Sequence, residues 1–101
     1  MSDNFTREQY LSIFEEAIER IMQALNDAES KHLSFPDDLI HGAGILTEEV
    51  GEAMREAINF EYHGQRPRSI LDNYIYELAQ AGAMAVRSLA KAIEIREGME
   101  G

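Results

Sequence analysis

The chain has 101 residues, 45% of them apolar, and its 19 acidic against 9 basic residues give a net charge of −10. This size predicts one domain over residues 1–101, and the acidic surplus argues against binding a nucleic acid polymer, since lysine and arginine supply affinity for phosphate backbones. The absence of cysteine excludes disulfides and thiolate chemistry. No apolar run approaches the roughly 18 residues of a membrane span, so we expect a cytoplasmic protein without membrane contact.

Three long segments have helical periodicity, which predicts an all-α fold with three main helices. The first helix should begin after Thr6, because Thr6-x-x-Gln9 has the pattern of a capping box. Its apolar residues form one stripe: Tyr10, Ile13, Phe14, Ala17, Ile18, Ile21, Leu25 and Ala28. A polar connector over residues 30–34 then leads to Phe35 and Pro36.

The second and third helices should form an antiparallel hairpin. The second is predicted from about Pro36 to about Phe60, since proline is tolerated in a first turn. Residues 62–68 break it, with the pivot near Gln65. Ser69 can cap a third helix that runs to about Glu97, where Gly98 would stop it.

The third helix is apolar around well over half of its circumference, which the other two helices cannot easily cover. We therefore expect a homodimer or a dimer of dimers, in which helices two and three of each protomer build a four-helix bundle. Gly44 and Gly51, seven residues apart on the second helix, predict the close approach of another helix or of a ligand.

Carboxylates on the two hairpin helices should meet. Glu49 and Glu52 stand at positions i and i+3 and can share one cation, although such residues also occur on ordinary solvated faces. Glu77 lies beside an apolar face and needs a counter-ion, either a metal or an arginine or lysine. Because the first pair precedes the pivot by about as many residues as Glu77 and Gln80 follow it, the four side chains should lie at one height. This all-oxygen set suits Mg²⁺ or Mn²⁺ and a phosphate substrate.

At these residues the sequence resembles the MazG-like all-α nucleotide pyrophosphohydrolases, whose signature is E-E-x-x-E followed later by E-x-x-D. The segment Glu48-Glu49-Val50-Gly51-Glu52 matches the first part, and Glu77-Leu78-Ala79-Gln80 matches the second except that Gln80 replaces the aspartate. The resemblance covers roughly residues 35–93. It implies Mg²⁺-dependent hydrolysis of a nucleoside triphosphate to the monophosphate and pyrophosphate, serving to clear unwanted nucleotides, by water attack at the α-phosphorus.

Candidate site residues follow from the resemblance together with the helix positions. The catalytic candidates are Glu48, Glu49, Glu52 and Glu77, with Glu56 as an alternative for orienting the water, and the metal ligands would be Glu49, Glu52, Glu77 and Gln80. Arg87 and Lys91 are expected to contact phosphate, with Arg66 and Arg68 in the loop as alternatives. Candidates for contacts to the base or ribose are His41 and Asn73, with His32, Phe35 and Tyr74 nearby.

Two alternatives remain open from the sequence. The chain could be a non-catalytic helical dimer that binds a nucleotide or a protein through the same acidic cleft, with Gln80 marking lost chemistry. It could also resemble a phosphoribosyl-ATP pyrophosphohydrolase of histidine synthesis, for which a more basic loop would be expected.

Overall fold

A computed structural model describes residues 5–32 and 34–99, and every regular element in that part of the chain is a helix. The helices are α1 (Arg7–Lys31), α2 (Leu39–Tyr62) and α3 (Arg68–Met99). The prediction of an all-α fold with three main helices is confirmed. None of the described helices has the length and hydrophobicity that crossing a bilayer requires.

The beginning of α1 is a capping box, as predicted. The hydroxyl of Thr6 accepts a hydrogen bond from the backbone N–H of Gln9 at 3.2 Å, and the Gln9 side chain accepts one from the N–H of Thr6 at 2.7 Å. The helix continues through Ser30 and Lys31, which the sequence assigned to the connector. The connector is therefore residues 32–38, of which Leu33 lies outside the described residues.

The helix α2 begins at Leu39, three residues later than predicted, because Asp38 caps it instead of Pro36 opening it. The Asp38 carboxylate accepts hydrogen bonds from the N–H groups of Ile40 and His41, both at 3.3 Å. A carboxylate at the N-cap that accepts from free N–H groups stabilises a helix start by about 1 kcal/mol. The helix ends at Tyr62.

The turn between α2 and α3 is centred on Gln65, as expected, but α3 is longer than predicted at both ends. The carbonyl of Pro67 accepts the first helical hydrogen bond, from the N–H of Ile70 at 3.2 Å, so Ser69 lies inside the first turn and is not the cap. Gly98 does not stop the helix, which includes Met99. One glycine in a last turn costs only about 1 kcal/mol, too little to end a helix of 32 residues.

The central element is α3, which packs against α2 on one side and α1 on another, whereas the described backbones of α1 and α2 do not approach each other. Where α1 crosses α3, a Cβ on Gly82 would lie 2.8 Å from the side chain of Ile21. The space beside Gly44 and Gly51 is open, so the close approach predicted there does not occur within one chain.

The molecule is elongated and exposes much apolar surface. Its extents are 54 × 30 × 23 Å and its radius of gyration is 16.3 Å, against about 13 Å for a compact chain of this length. Its buried apolar residues are mostly alanines, namely Ala24, Ala28, Ala53, Ala81 and Ala83, together with Met84. The accessible surface is 7884 Å², whereas a folded monomer of 11.4 kDa typically has about 5,800 Å².

Candidate functional site

Three carboxylates from two helices meet across the hairpin. Glu49 and Glu52 of α2 and Glu77 of α3 each place one carboxylate oxygen within 4.8 Å of the others, and we call these residues the acidic cluster. The meeting follows from the turn, because the helices run back from residue 65 and bring residues equally distant from it to the same height. The burial of Ala53 and Ala81 shows how closely α2 and α3 pack beside these residues.

Two members of the acidic cluster, Glu49 and Glu77, have a raised pKa and so hold their protons more tightly than isolated carboxyl groups do. Burial, followed by repulsion from Glu52 and Glu48, raises the pKa of Glu49 above its ordinary value. Burial is also the main reason that the pKa of Glu77 is raised, and a hydrogen bond with the Glu52 carboxyl group and the nearby charges add to it. Burial and neighbouring negative charges both disfavour the ionised form of a carboxyl group, which explains the direction of both shifts.

The remaining acidic and amide candidates surround the acidic cluster. Glu48 is exposed, and its charge acts on Glu49, while half-buried Glu56 acts on Glu77. Gln80 is half-buried one turn beyond Glu77 and borders the same cavity as Glu49. Both predicted motifs therefore contribute to one region of the molecule.

A cavity of about 460 Å³ opens beside Glu49 and Gln80, and we call it the cluster cavity. Its apolar surface comes from Ala28, Ile45 and Met84 and from the rings of Phe35 and Tyr76. Polar groups at its other side belong to the end of α1 and to the connector: Asp27, Lys31, His32 and Ser34. A flat, partly polar ring system is the kind of ligand that such a lining accepts.

The two basic residues expected to contact phosphate already have partners in the chain. Arg87 donates to the carbonyl oxygen of His32 at 2.7 Å and pairs with Glu29 at 3.1 Å. Lys91 pairs with Asp37 at 3.0 Å and with Glu94 at 3.2 Å, and these contacts raise its pKa. Arg87 borders the cluster cavity, whereas Lys91 lies in a neighbouring groove.

The other predicted contacts, His41 and Asn73, do not line the cluster cavity. His41 is exposed in the first turn of α2 and lines the neighbouring groove with Lys91. Asn73 is exposed one turn before Glu77. The structure thus brings the acidic cluster and Gln80 together but places His41 and Lys91 beside a different opening.

The sequence did not indicate Tyr76 or Asp27, which also line the cluster cavity. Tyr76 directly precedes Glu77, and an aromatic ring next to a motif carboxylate was the available signal. Nothing in the sequence indicated Asp27, because its position depends on where α1 crosses α3.

Comparisons of the chain with models of protein families, with curated proteins and with solved structures each found no match.

Proposed function

We propose that the protein is a Mg²⁺- or Mn²⁺-dependent nucleoside triphosphate pyrophosphohydrolase. The observation that carries the proposal is the acidic cluster: three carboxylates from two helices with oxygens within 4.8 Å of one another, two of them with a raised pKa. The same residues carry the resemblance to the MazG-like enzymes. The water oxygen would add to the α-phosphorus and remain on the monophosphate, while pyrophosphate leaves.

The donor set fits a hard divalent cation. Carboxylate oxygens are the ligands that Mg²⁺ and Mn²⁺ prefer, and Gln80 offers a neutral oxygen on the flank of the acidic cluster. Glu49, Glu52 and Glu77 would hold the ion, which supplies positive charge for the triphosphate. Glu48 and Glu56, whose charges act on the acidic cluster, are the candidates to orient the attacking water or accept its proton.

The cluster cavity is the proposed place for the nucleoside. Phe35 and Tyr76 line it together with Glu49 and Gln80, so a base bound in this cavity would place the phosphates near the acidic cluster. Aromatic faces accept any base by stacking, and the polar groups of the α1 end would select among bases.

The test is a panel of nucleoside triphosphates incubated with Mg²⁺ or Mn²⁺ in ¹⁸O-labelled water. We expect pyrophosphate and a monophosphate that carries the label, and we expect Glu77→Gln to remove most of the turnover. Glu97→Gln, which makes the same charge change at an exposed position of α3, should retain it. Release of orthophosphate alone would place attack at another phosphorus and refute the proposal.

The same panel separates the alternatives. Nucleotide binding without any turnover would favour the non-catalytic dimer, and turnover confined to phosphoribosyl-ATP would favour the histidine-synthesis enzyme.

We also propose that two copies of the chain associate through the outward face of α2. Ile40, Gly44, Thr47, Gly51, Met54 and Ile58 alternate at spacings of four and three residues, and we call them the outer stripe. Ile40 is 82% exposed, Met54 58% and Ile58 49%. The stripe has no charge, and its one hydroxyl, on Thr47, already donates to the carbonyl of Ala43. This spacing is that of a helix-to-helix seam, and the open glycines allow a second backbone to approach.

The accessible surface area of the chain supports a second copy of it as the partner that covers the outer stripe. The excess over a typical folded monomer is about 2,000 Å² per chain, so two chains would cover about 4,000 Å². Obligate homodimers bury about 2,000 to 5,000 Å². Exposed apolar residues of α1, namely Leu11, Phe14, Ile18 and Met22, would supply part of that area.

Sedimentation equilibrium tests the association. We expect the wild type to be a dimer or a dimer of dimers at micromolar concentration and Met54→Glu to be a monomer. Asn59→Glu introduces the same charge on an exposed part of α2 outside the outer stripe and should leave the assembly intact. A monomeric wild type, or equal dissociation of both variants, would refute this interface.

A further inference from the structure

Arg87 carries the most deeply buried charge in the described part of the chain, with a side chain only 6% exposed. It makes three contacts at once. Its guanidinium group donates to the carbonyl oxygen of His32 at 2.7 Å, pairs with Glu29 at 3.1 Å and lies over the ring of Phe35, 5.0 Å from the centroid. All three partners belong to the end of α1 or to the connector, so Arg87 ties this part of the chain to α3.

The ring of Phe35 is held from a second side by α2. A Cβ built on Gly42 would lie 2.8 Å from a ring carbon of Phe35, so the ring rests directly on the helix backbone. Phe35 therefore fills the space between Arg87 and Gly42, and it lines the cluster cavity that Glu49 and Gln80 border.

We propose that Arg87 is a positioning residue and does not bind the phosphates. It holds Phe35 and the connector in place as the side of the cluster cavity that selects the nucleoside, and this proposal rests on the function proposed above. A guanidinium group turned toward a phosphate would give up its contacts with Glu29 and the carbonyl of His32. The Glu29 side chain is 54% exposed, but that of Arg87 is only 6% exposed, and leaving a buried charge without its partners is strongly unfavourable. The second tie to the connector, between Lys91 and Asp37, involves a carboxylate that is 98% exposed and contributes little.

The fork of the guanidinium group makes this role testable. Lysine keeps the charge of Arg87 but lacks the planar, forked guanidinium group that can donate to a carbonyl and a carboxylate while it lies over a ring. A residue that only attracts phosphate should tolerate Arg87→Lys, whereas the proposed positioning residue should not. Gly42→Ala reaches the same ring from the opposite side, because the added methyl group would displace Phe35.

The first measurement is amide hydrogen exchange in the metal-free protein. In Arg87→Gln and Arg87→Lys we expect the amides whose hydrogen bonds lie at the two ends of the connector, those of His32 and Gly42, to exchange at least about tenfold faster, with the hydrogen-bonded amide of Arg66 in the turn unchanged. Arg68→Gln is the control, because this exposed arginine has only a long ion pair, 3.8 Å from Asp72. Unchanged connector exchange would overturn the proposal.

The second measurement compares two ligands in the presence of Mn²⁺: a nucleoside triphosphate substrate and inorganic triphosphate as its competitor. For Arg87→Lys, Arg87→Gln and Gly42→Ala we expect the KM of the nucleotide to rise about tenfold or more and the preference among bases to change. Inhibition by inorganic triphosphate should remain within about twofold of the wild type. Equal loss of both ligands would make Arg87 a phosphate ligand and overturn the proposal. If the wild type binds no nucleotide while connector exchange responds as stated, the tie formed by Arg87 is supported and the proposed function fails.

Discussion

Replacing Glu77 by glutamine should stabilise the metal-free protein. The substitution keeps the shape of the side chain but removes one charge from the acidic cluster, whose oxygens lie within 4.8 Å of one another. At that separation two unit charges repel by about 0.9 kcal/mol in a water-like dielectric and by more when they are partly buried. Glu77 faces Glu49, Glu52 and Glu56, so we expect a gain of about 1 to 2 kcal/mol.

The pH dependence of this gain follows from the raised pKa of Glu77. A carboxyl group whose pKa is higher in the folded protein than its ordinary 4.5 binds its proton more tightly when folded. It therefore favours the folded state at pH below 4.5, and that contribution is lost as pH rises through the raised pKa. The advantage of the Glu77→Gln variant should be small near pH 4 and complete near neutral pH.

Thermal unfolding in a chelating buffer at one fixed protein concentration measures the effect. For a domain of this size each kcal/mol raises Tm by about 4 to 8 °C. Adding Mn²⁺ at about one hundred times its Kd should stabilise the wild type by about 2.7 kcal/mol and the variant much less, so that the order of the two proteins reverses.

Two results would refute this reasoning. A Glu77→Gln protein less stable than the wild type in chelator would mean that the carboxylate has a stabilising partner. Equal gains near pH 4 and at neutral pH would mean that repulsion is not the cause. Glu97→Gln, at an exposed position, should change Tm by less than the equivalent of about 0.5 kcal/mol.

Three further outcomes are expected. Gln80→Asp should tighten Mn²⁺ binding in the absence of nucleotide, as measured by calorimetry, because it adds a charged oxygen to the set; unchanged affinity would show that residue 80 is not a ligand. Asp38→Ala should lower the free energy of unfolding in urea by about 1 kcal/mol through loss of the α2 cap, whereas Asp37→Ala should change it by less than about 0.5 kcal/mol. Gly82→Ala should cost about 1 to 3 kcal/mol because its methyl group meets Ile21, and a smaller loss in an Ile21→Ala background would show that this contact is the reason.

The helices and the meeting of their carboxylates could be expected from the sequence because both depend on local rules. Periodicity and the pattern at Thr6 fix α1, and a turn centred on residue 65 fixes the relative height of Glu49 and Glu77. The start of α2 was misplaced because two local signals compete there, and the capping carboxylate of Asp38 prevails over Pro36. Gly98 was wrongly expected to end α3, because the cost of one glycine is small compared with the stability of a long helix.

The contacts of Arg87 could not be expected, because they depend on where α1 crosses α3. That crossing is set by the fit of Ile21 against Gly82, which are 61 positions apart in the chain. From the sequence alone, Arg87 is expected to be either a phosphate contact or a surface charge. Arg87 is the partner of Glu29 and His32 because the end of α1 lies beside this part of α3.

The central position of α3 also determines when the chain can fold during its synthesis. Both helix pairings in the described structure include α3, and α1 and α2 do not approach each other. While the ribosome is still making the first 67 residues, a nascent chain has two amphipathic helices without their packing partner. Native pairing of either helix must therefore wait until α3 is available, and α3 then joins α1 and α2 into one tertiary structure.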